Sequence, residues 1–368
     1  MKFNKLLKCF KSNYHFIKRL DLNAMKNSHL QSWSKISVFY FSGTGNAKQI
    51  ALWISNLAIE HQLECTIYDI SKLQSKEIEP LSNDTLLFFI SPIHGFNFPK
   101  ITSDFIQKFP KGSNKVVLMN TRAGMKLGRY ITPGLTGIAF MLSSVKLRLK
   151  GYRIMGSIPY DMPSNWISIH PAIGEKSTKF IFSVIQKKVE KHFKSLILGK
   201  TQYISRKDIV QDLLISPVSL GYYFAGKYIF AKSFYASHKC NQCGLCAHQC
   251  PVKAIQMKNK RSFWTLSCES CMKCMNNCPL NAIETAHGMF AAISIFSSLG
   301  LTLILNNLTP SIPNNSIVRL GIFTIVFFFL LWFIYGIQHF LLKYKLFAKL
   351  ISFSSLTSYK FWGRYKAM

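Results

Sequence analysis

Between residues 35 and 199, short apolar runs alternate with longer amphipathic ones. The runs ISVFYF (36–41), CTIYDI (65–70), TLLFFI (85–90), KVVLMN (115–120) and YRIMGSIP (152–159) are rich in β-branched and aromatic residues and bounded by polar residues, Gly or Pro, the signature of strands. Segments at about 45–60, 99–109 and 124–148, and one at 172–197 after the last strand, space their apolar positions as helices do. Strands separated by helices demand crossover connections, so the pattern predicts an α/β domain built on a five-stranded parallel sheet covered on both faces. Periodicity alone leaves the strand order open.

The pattern then changes. Residues 200–239 form an aromatic-rich linker broken by Pro217, Gly221 and Gly226, too interrupted to cross a bilayer and expected to pack between domains. A cysteine-rich module occupies 240–287. Two stretches without a charged residue follow, GMFAAISIFSSLGLTLIL (288–305) and LGIFTIVFFFLLWFIYGI (320–337), each about as long as a bilayer core requires. They predict a transmembrane helical hairpin over 288–337, and a buried hairpin in a soluble core is the competing reading. Lys258, Lys260, Arg261 and Lys273 precede it, and Lys343, Lys345, Lys349, Lys360, Arg364 and Lys366 follow it, whereas the connecting loop has only Arg319. The positive-inside bias therefore puts both termini and the large domains in the cytoplasm, at the cytoplasmic membrane, with Trp332 and Tyr335 near the boundary. In the basic tail, 338–368, the run HFLLKYKLFAKLISF interleaves basic and apolar residues, as an interfacial helix or a solvated cap would. The first 34 residues carry Lys2, Lys5, Lys8, Lys11, Lys18 and Arg19 but no signal-peptide core, and read as a basic extension.

Charge sharpens the membrane reading. Lys and Arg number 46 against 15 Asp and Glu, a formal charge of +31. Many of these cations flank the apolar stretches, so anionic lipid is the simpler partner and no nucleic acid is expected.

Eight of the ten cysteines form two copies of C-x2-C-x2-C-x3-C-P, at 240–251 and 268–279. With nothing directing the module to an oxidising compartment, metal explains this density better than disulfides. Three cysteines at this spacing wrap one cubane cluster, and the fourth, followed by Pro, points toward another. Cys240, Cys243 and Cys246 with Cys278 would hold one 4Fe-4S cluster, and Cys268, Cys271 and Cys274 with Cys250 a second. Zinc or unligated thiols are the alternatives. Cys9 and Cys65 lie outside the pattern. Over 240–285 the module resembles a bacterial two-cluster ferredoxin, a small α+β domain.

FSGTGNAKQIA (41–51) leaves the first strand, turns through small residues and enters a helix, a favourable phosphate seat. It lacks the Gly-Lys-Ser/Thr ending of a P-loop and the G-x-G-x-x-G of a dinucleotide site. The loop resembles the flavodoxin phosphate loop, which implies Ser42, Thr44, Gly45, Asn46 and Ala47 around the phosphate of FMN, with Ala47 where that family usually has Thr. By the same resemblance SPIHGFNFP (91–99) places His94, Gly95 and Phe96 beside the flavin ring, and NTRAG (120–124) places Asn120, Thr121 and Gly124 on its other side. Asp161 and Asn165 lie at the same sheet edge, as ligand contacts or loop caps. An empty, structural flavodoxin-like domain is the other reading. No catalytic constellation of Ser/His/Asp or paired carboxylates stands out.

Over about 35–285 the chain resembles the flavodoxin–ferredoxin fusion family of anaerobic bacteria, with the membrane hairpin added. The resemblance implies a protein that passes electrons between FMN and two 4Fe-4S clusters to an unknown redox partner protein, and the hairpin, read from hydropathy alone, makes it membrane-anchored. The alternatives are an oxidoreductase that reduces a small acceptor such as a quinone, and a flavin-free ferredoxin whose flavodoxin-like domain docks a partner.

Overall fold

A computed structural model describes residues 33–73, 81–307 and 316–367. Cys9 and nearly all of the basic extension lie outside them, as does most of the segment joining the apolar stretches. The first domain runs β1 (Lys35–Tyr40), α1 (Asn46–Glu60), β2 (Glu64–Asp69), β3 (Thr85–Pro92), α2 (Lys100–Lys108), β4 (Lys115–Leu127), β5 (Tyr130–Thr132), α3 (Ala139–Arg148), β6 (Arg153–Pro163) and α4 (Glu175–Ile197). Its five long strands are parallel in the order β2-β1-β3-β4-β6, with the short β7 (Gln202–Tyr203) beyond β6. This is the 2-1-3-4-5 order of flavodoxin-like doubly wound sheets, whose ligands sit outside the carboxyl ends of the strands.

Period-two alternation inside these strands fills two cores rather than one. Ile36, Val38 and Tyr40 join Leu86, Phe88 and Ile90 under α1 and α4, while Phe39 and Phe41 join Leu87 and Phe89 under α2 and α3. Both faces are buried, as crossover helices require.

One expectation is corrected. The helix predicted over 124–148 is confined to α3; the chain before it extends β4 and turns through Gly128, at φ 59°, into an antiparallel pairing with β5. Gly128, Pro133, Gly134 and Gly137 interrupt any helix there, since each removes side-chain or amide contributions that a helix uses.

Residues 204–231 form a chain of short helical turns that include α5 (Ile209–Leu214), α6 (Ser216–Gly221), a π-turn at Tyr222–Gly226 and α7 (Lys227–Ala231). The cysteine-rich part consists of β8 (Phe234–Ala236), α8 (Leu245–His248), β9 (Ile255–Lys258), β10 (Arg261–Trp264), α9 (Lys273–Asn276) and β11 (Ile283–Thr285). It is tied together by two antiparallel ribbons, β9–β10 and β8–β11.

Three further helices follow: α10 (His287–Asn307), α11 (Ser316–Leu341) and α12 (Lys345–Phe353). Leu320–Leu341, within α11, is long and apolar enough to cross a membrane, whereas the apolar part of α10 bounded by His287–Phe296 is shorter. The two helices pack against each other. The last turns of α11 sit on the cysteine-rich part: Tyr335 is buried and its hydroxyl accepts from the Trp264 amide at 3.0 Å, while Trp332 is 62% exposed. Beyond α12 the tail returns to the first domain, where Trp362 donates its indole N–H to the Ile167 carbonyl at 2.5 Å.

Candidate metal centre

The two cysteine repeats fold alike. Left-handed backbone recurs at matching positions, Gln242 and Ser270, Gly244 and Met272, Lys253 and Asn281. A side chain at such φ is disfavoured, so five non-glycine residues held there signal a loop shaped by what it surrounds. Backbone amides also point at sulfur in pairs. Gln242 and Ser270 donate to the Sγ atoms of Cys240 and Cys268 at 3.4 and 3.5 Å, and Ala254 and Ala282 to those of Cys250 and Cys278 at 3.2 and 3.3 Å.

The cysteines line two separate cavities. Cys240, Cys243, Cys246 and Cys278 face the first, and Cys250, Cys268 and Cys271 face the second. Cys274 borders both. Each repeat therefore sends its fourth cysteine across to the other repeat's cavity. Among the described residues no three His, Cys, Asp or Glu side chains are gathered so as to hold a single metal ion.

Burial pushes the Cys268, Cys271 and Cys274 thiols up, Cys271 to about 12. Thiolates there need cationic partners, which iron would supply. Eight thiols parted between two cavities are the donor type that 4Fe-4S clusters use.

The loops expected around a flavin converge on the carboxyl edge of the sheet. Gly45, at φ 110°, opens α1, and its amide donates to Ser42 Oγ at 3.1 Å. Thr44 Oγ1 accepts from Asn165 Nδ2, Asn46 Nδ2 donates to the Pro163 carbonyl at 2.9 Å, and Ala47 is buried. His94, Gly95 and Phe96 form a tight turn closed by paired backbone bonds between His94 and Asn97. Asn120 Nδ2 donates to Thr136 Oγ1 at 3.2 Å, Thr121 is buried, and Gly124 packs on Asp161.

Other parts of the chain come close to the glycines of these loops. The Tyr222 ring lies on Gly95, a Cβ on Gly43 would stand 2.5 Å from the Cys271 carbonyl oxygen, and one on Gly45 would stand 2.6 Å from the Ala367 methyl. An FMN at these loops would have to share the sheet edge with Tyr222 and the tail. Two buried polar atoms at this edge, His94 Nδ1 and Asn120 Oδ1, have no hydrogen-bond partner.

Other contacts here were not legible in the sequence. Arg122 donates to Asp161 at 2.6 Å and to Asp208 at 2.5 Å, and Asp212 accepts the Gly137 amide at 2.8 Å, so the 200–239 segment is fastened to the sheet edge. Glu269 accepts the Lys100 amide at 3.0 Å, joining the second repeat to α2. Only unpaired-looking acids in a basic chain could have hinted at these bonds.

Residues 239–283 match the 4Fe-4S dicluster domain family. The chain thus carries a 4Fe-4S electron-transfer domain joined to a flavodoxin-like one. The search of curated proteins found no match. Among solved structures, flavodoxin 1 from Bacillus cereus is 14% identical over 43% of this chain and 99% of that one, with a TM-score of 0.29. Two-electron-reduced Megasphaera elsdenii flavodoxin is 13% identical over 41% and 98%, with a TM-score of 0.27. Rubredoxin oxygen:oxidoreductase from Desulfovibrio gigas is 9% identical over 45% of this chain, with a TM-score of 0.30, and this chain spans only 37% of its length. At these scores the fold assignment rests on the observed strand order, not on the likenesses.

Proposed function

We propose that the protein is a membrane-anchored electron carrier with two 4Fe-4S clusters, one held by Cys240, Cys243, Cys246 and Cys278 and the other by Cys268, Cys271, Cys274 and Cys250. The observation that carries this reading is the division of the eight cysteines between two adjacent cavities, with each fourth cysteine crossing over. Such clusters supply single-electron exchange. The paired amide-to-sulfur bonds favour the more negative cluster charge less than bulk water would but more than an apolar shell, and so tune the potential.

Membrane anchoring is supported by Leu320–Leu341 and by the chain's path. The His287 imidazole, at the start of α10, bonds the Ser168 carbonyl at 2.8 Å and the Leu356 amide at 3.1 Å, and the tail beyond α12 bonds the first domain. Both ends of the α10–α11 pair therefore stand on one side. A chain that leaves and returns on the same side crosses a bilayer an even number of times, which favours a hairpin with its redox domains in the cytoplasm. Anionic lipid and an as yet unidentified redox protein are the partners in this reading.

The test is purification from membranes without oxygen, followed by metal analysis and low-temperature EPR. About eight irons per chain and reducible 4Fe-4S signals are expected. Zinc, or no metal, sinks the proposal.

A second reading keeps FMN at the Ser42–Ala47 loop after Tyr222 and the tail withdraw. It is favoured by the partnerless His94 Nδ1 and Asn120 Oδ1 at the sheet edge. Acid extraction of the purified protein decides it: stoichiometric FMN supports it, and its absence leaves the flavodoxin-like domain as a flavin-free platform against which the second repeat packs.

A further inference from the structure

An open cleft of about 1070 Å³ lies between the membrane-length helix and the second cysteine repeat. Phe329 and Trp332 of α11 form one wall, and both are largely exposed, at 60% and 62%. Phe224 and Leu266 are among its other apolar lining residues. Ser267 and Glu269, the two residues that bracket Cys268, also line it.

The charged lining residues are of both signs, and Lys100 is paired with Asp104. Lys232 is buried, with its ammonium donating to the Trp264 carbonyl at 2.7 Å and lying 4.5 Å from the Phe263 and Tyr335 ring centres. Lys227 lies over the Tyr223 and Tyr228 rings at 4.7 and 4.8 Å. Among the described residues neither lysine forms a salt bridge within 4.0 Å. Rings leave the remaining N–H groups of an ammonium available to an acceptor.

From this juxtaposition we propose that the cleft binds a membrane quinone, with its ring between the aromatic walls, a carbonyl oxygen on Lys227 or Lys232, and its apolar tail along α11 toward the bilayer. The inference rests on the membrane-anchored electron-carrier reading. A flat apolar ring with two acceptors matches a mostly apolar cleft with a few ammonium donors. A phospholipid headgroup matches it less well, because Lys100 is held by Asp104 and the buried Glu269 places a carboxylate in the same lining as Lys227 and Lys232. The location also fits: Phe329 and Trp332 lie within the apolar stretch Leu320–Leu341, so the cleft is continuous with the surface of the membrane-length helix. Conversion of a bound quinone to the quinol consumes two electrons and two protons. The electrons would arrive singly from the reduced 4Fe-4S domain, itself charged by a low-potential one-electron donor protein, and the protons from water at the open mouth.

The experiment uses the full chain in phosphatidylcholine nanodiscs without oxygen, titrated with decylubiquinone while tryptophan quenching is followed. Saturable binding is expected, weakened about tenfold or more in Leu266→Trp and in Phe224→Trp, which fill the cleft from exposed positions. EPR of each variant reports whether its clusters are intact, so a lost fold is not mistaken for a lost site. Non-saturable quenching, binding that neither variant changes, or full displacement by phosphatidylglycerol overturns the proposal. Absence of clusters from the wild-type chain sinks the electron-carrier reading instead, and it is seen before any quinone is added.

Discussion

The Tyr365 hydroxyl donates to the side-chain oxygen of Asn46, a residue 319 positions earlier at the start of α1. The same tyrosine's amide donates to Asn276 Oδ1 at 2.7 Å, so one residue of the tail joins the cysteine-rich part to the loop after β1. Tyr365 and Asn46 are both buried. Tyr365→Phe keeps the ring and leaves the Asn46 oxygen without its donor, which should cost about 1–3 kcal/mol. Chemical denaturation followed by near-UV circular dichroism checks this, and an unchanged midpoint would show that water replaces the hydroxyl.

Arg122 is a second fastening, between β4 and the turn that holds Asp208. Its side chain is 6% exposed and serves Asp161 and Asp208 together. Arg122→Gln leaves two partly hydrated carboxylates facing each other without a cation, and a loss of about 3 kcal/mol is expected. Asp208→Asn in the same background should recover part of it by removing one of the charges. If the double variant is no more stable than Arg122→Gln, the pair is not coupled in the way the geometry implies.

These fastenings mark the boundary of what the sequence made legible. Strand positions and the cysteine sets are local: alternation of apolar residues shows β1 and β3, and fixed spacing groups Cys240 with Cys243 and Cys246. The β4–β5 hairpin escaped because Leu127 and Ile131, four apart, imitate helical spacing, although Gly128 and Pro133 contradict it. Tyr222 on Gly95 and Tyr365 on Asn46 escaped for a different reason. Each joins segments far apart in the chain, and no periodicity encodes which aromatic residue will meet which loop. The same holds for the cleft beside Cys268, whose walls come from α2, the 200–239 segment, the second repeat and α11.

Acid should weaken the protein through His94. Burial lowers its pKa from 6.5 to about 4. The unfolded chain therefore binds a proton between these values that the folded one excludes, so stability is full above pH 6.5 and declines as pH falls toward 4. Glu269, whose carboxyl burial pushes up, works in the opposite sense at the acid end. Comparison with His94→Phe isolates the histidine: between pH 7 and pH 5 the wild type should lose on the order of 1–2 kcal/mol more than the variant. Parallel stability curves would mean that the imidazole is hydrated in the folded state.

Crossed ligation can be separated from ligation within each repeat by single Cys→Ser exchanges. Cys278 follows the second repeat's other cysteines in sequence yet faces the cavity of Cys240, Cys243 and Cys246, and Cys250 faces that of Cys268 and Cys271. If the sets cross, Cys278→Ser and Cys243→Ser perturb the same cluster, and Cys250→Ser pairs with Cys271→Ser. The first pair removes ligands near the surface, since Cys243 is exposed, whereas Cys268 in the second set is buried. Solvent entry at the exposed set should make the first cluster the more easily lost, with about four irons remaining per chain and one EPR signal kept. Cys250→Ser should retain the complementary signal. Mössbauer and EPR spectra of the four variants read this directly: spectra grouping Cys278→Ser with Cys271→Ser instead would mean that each repeat closes on itself, and would require the two cavities to exchange a cysteine on loading.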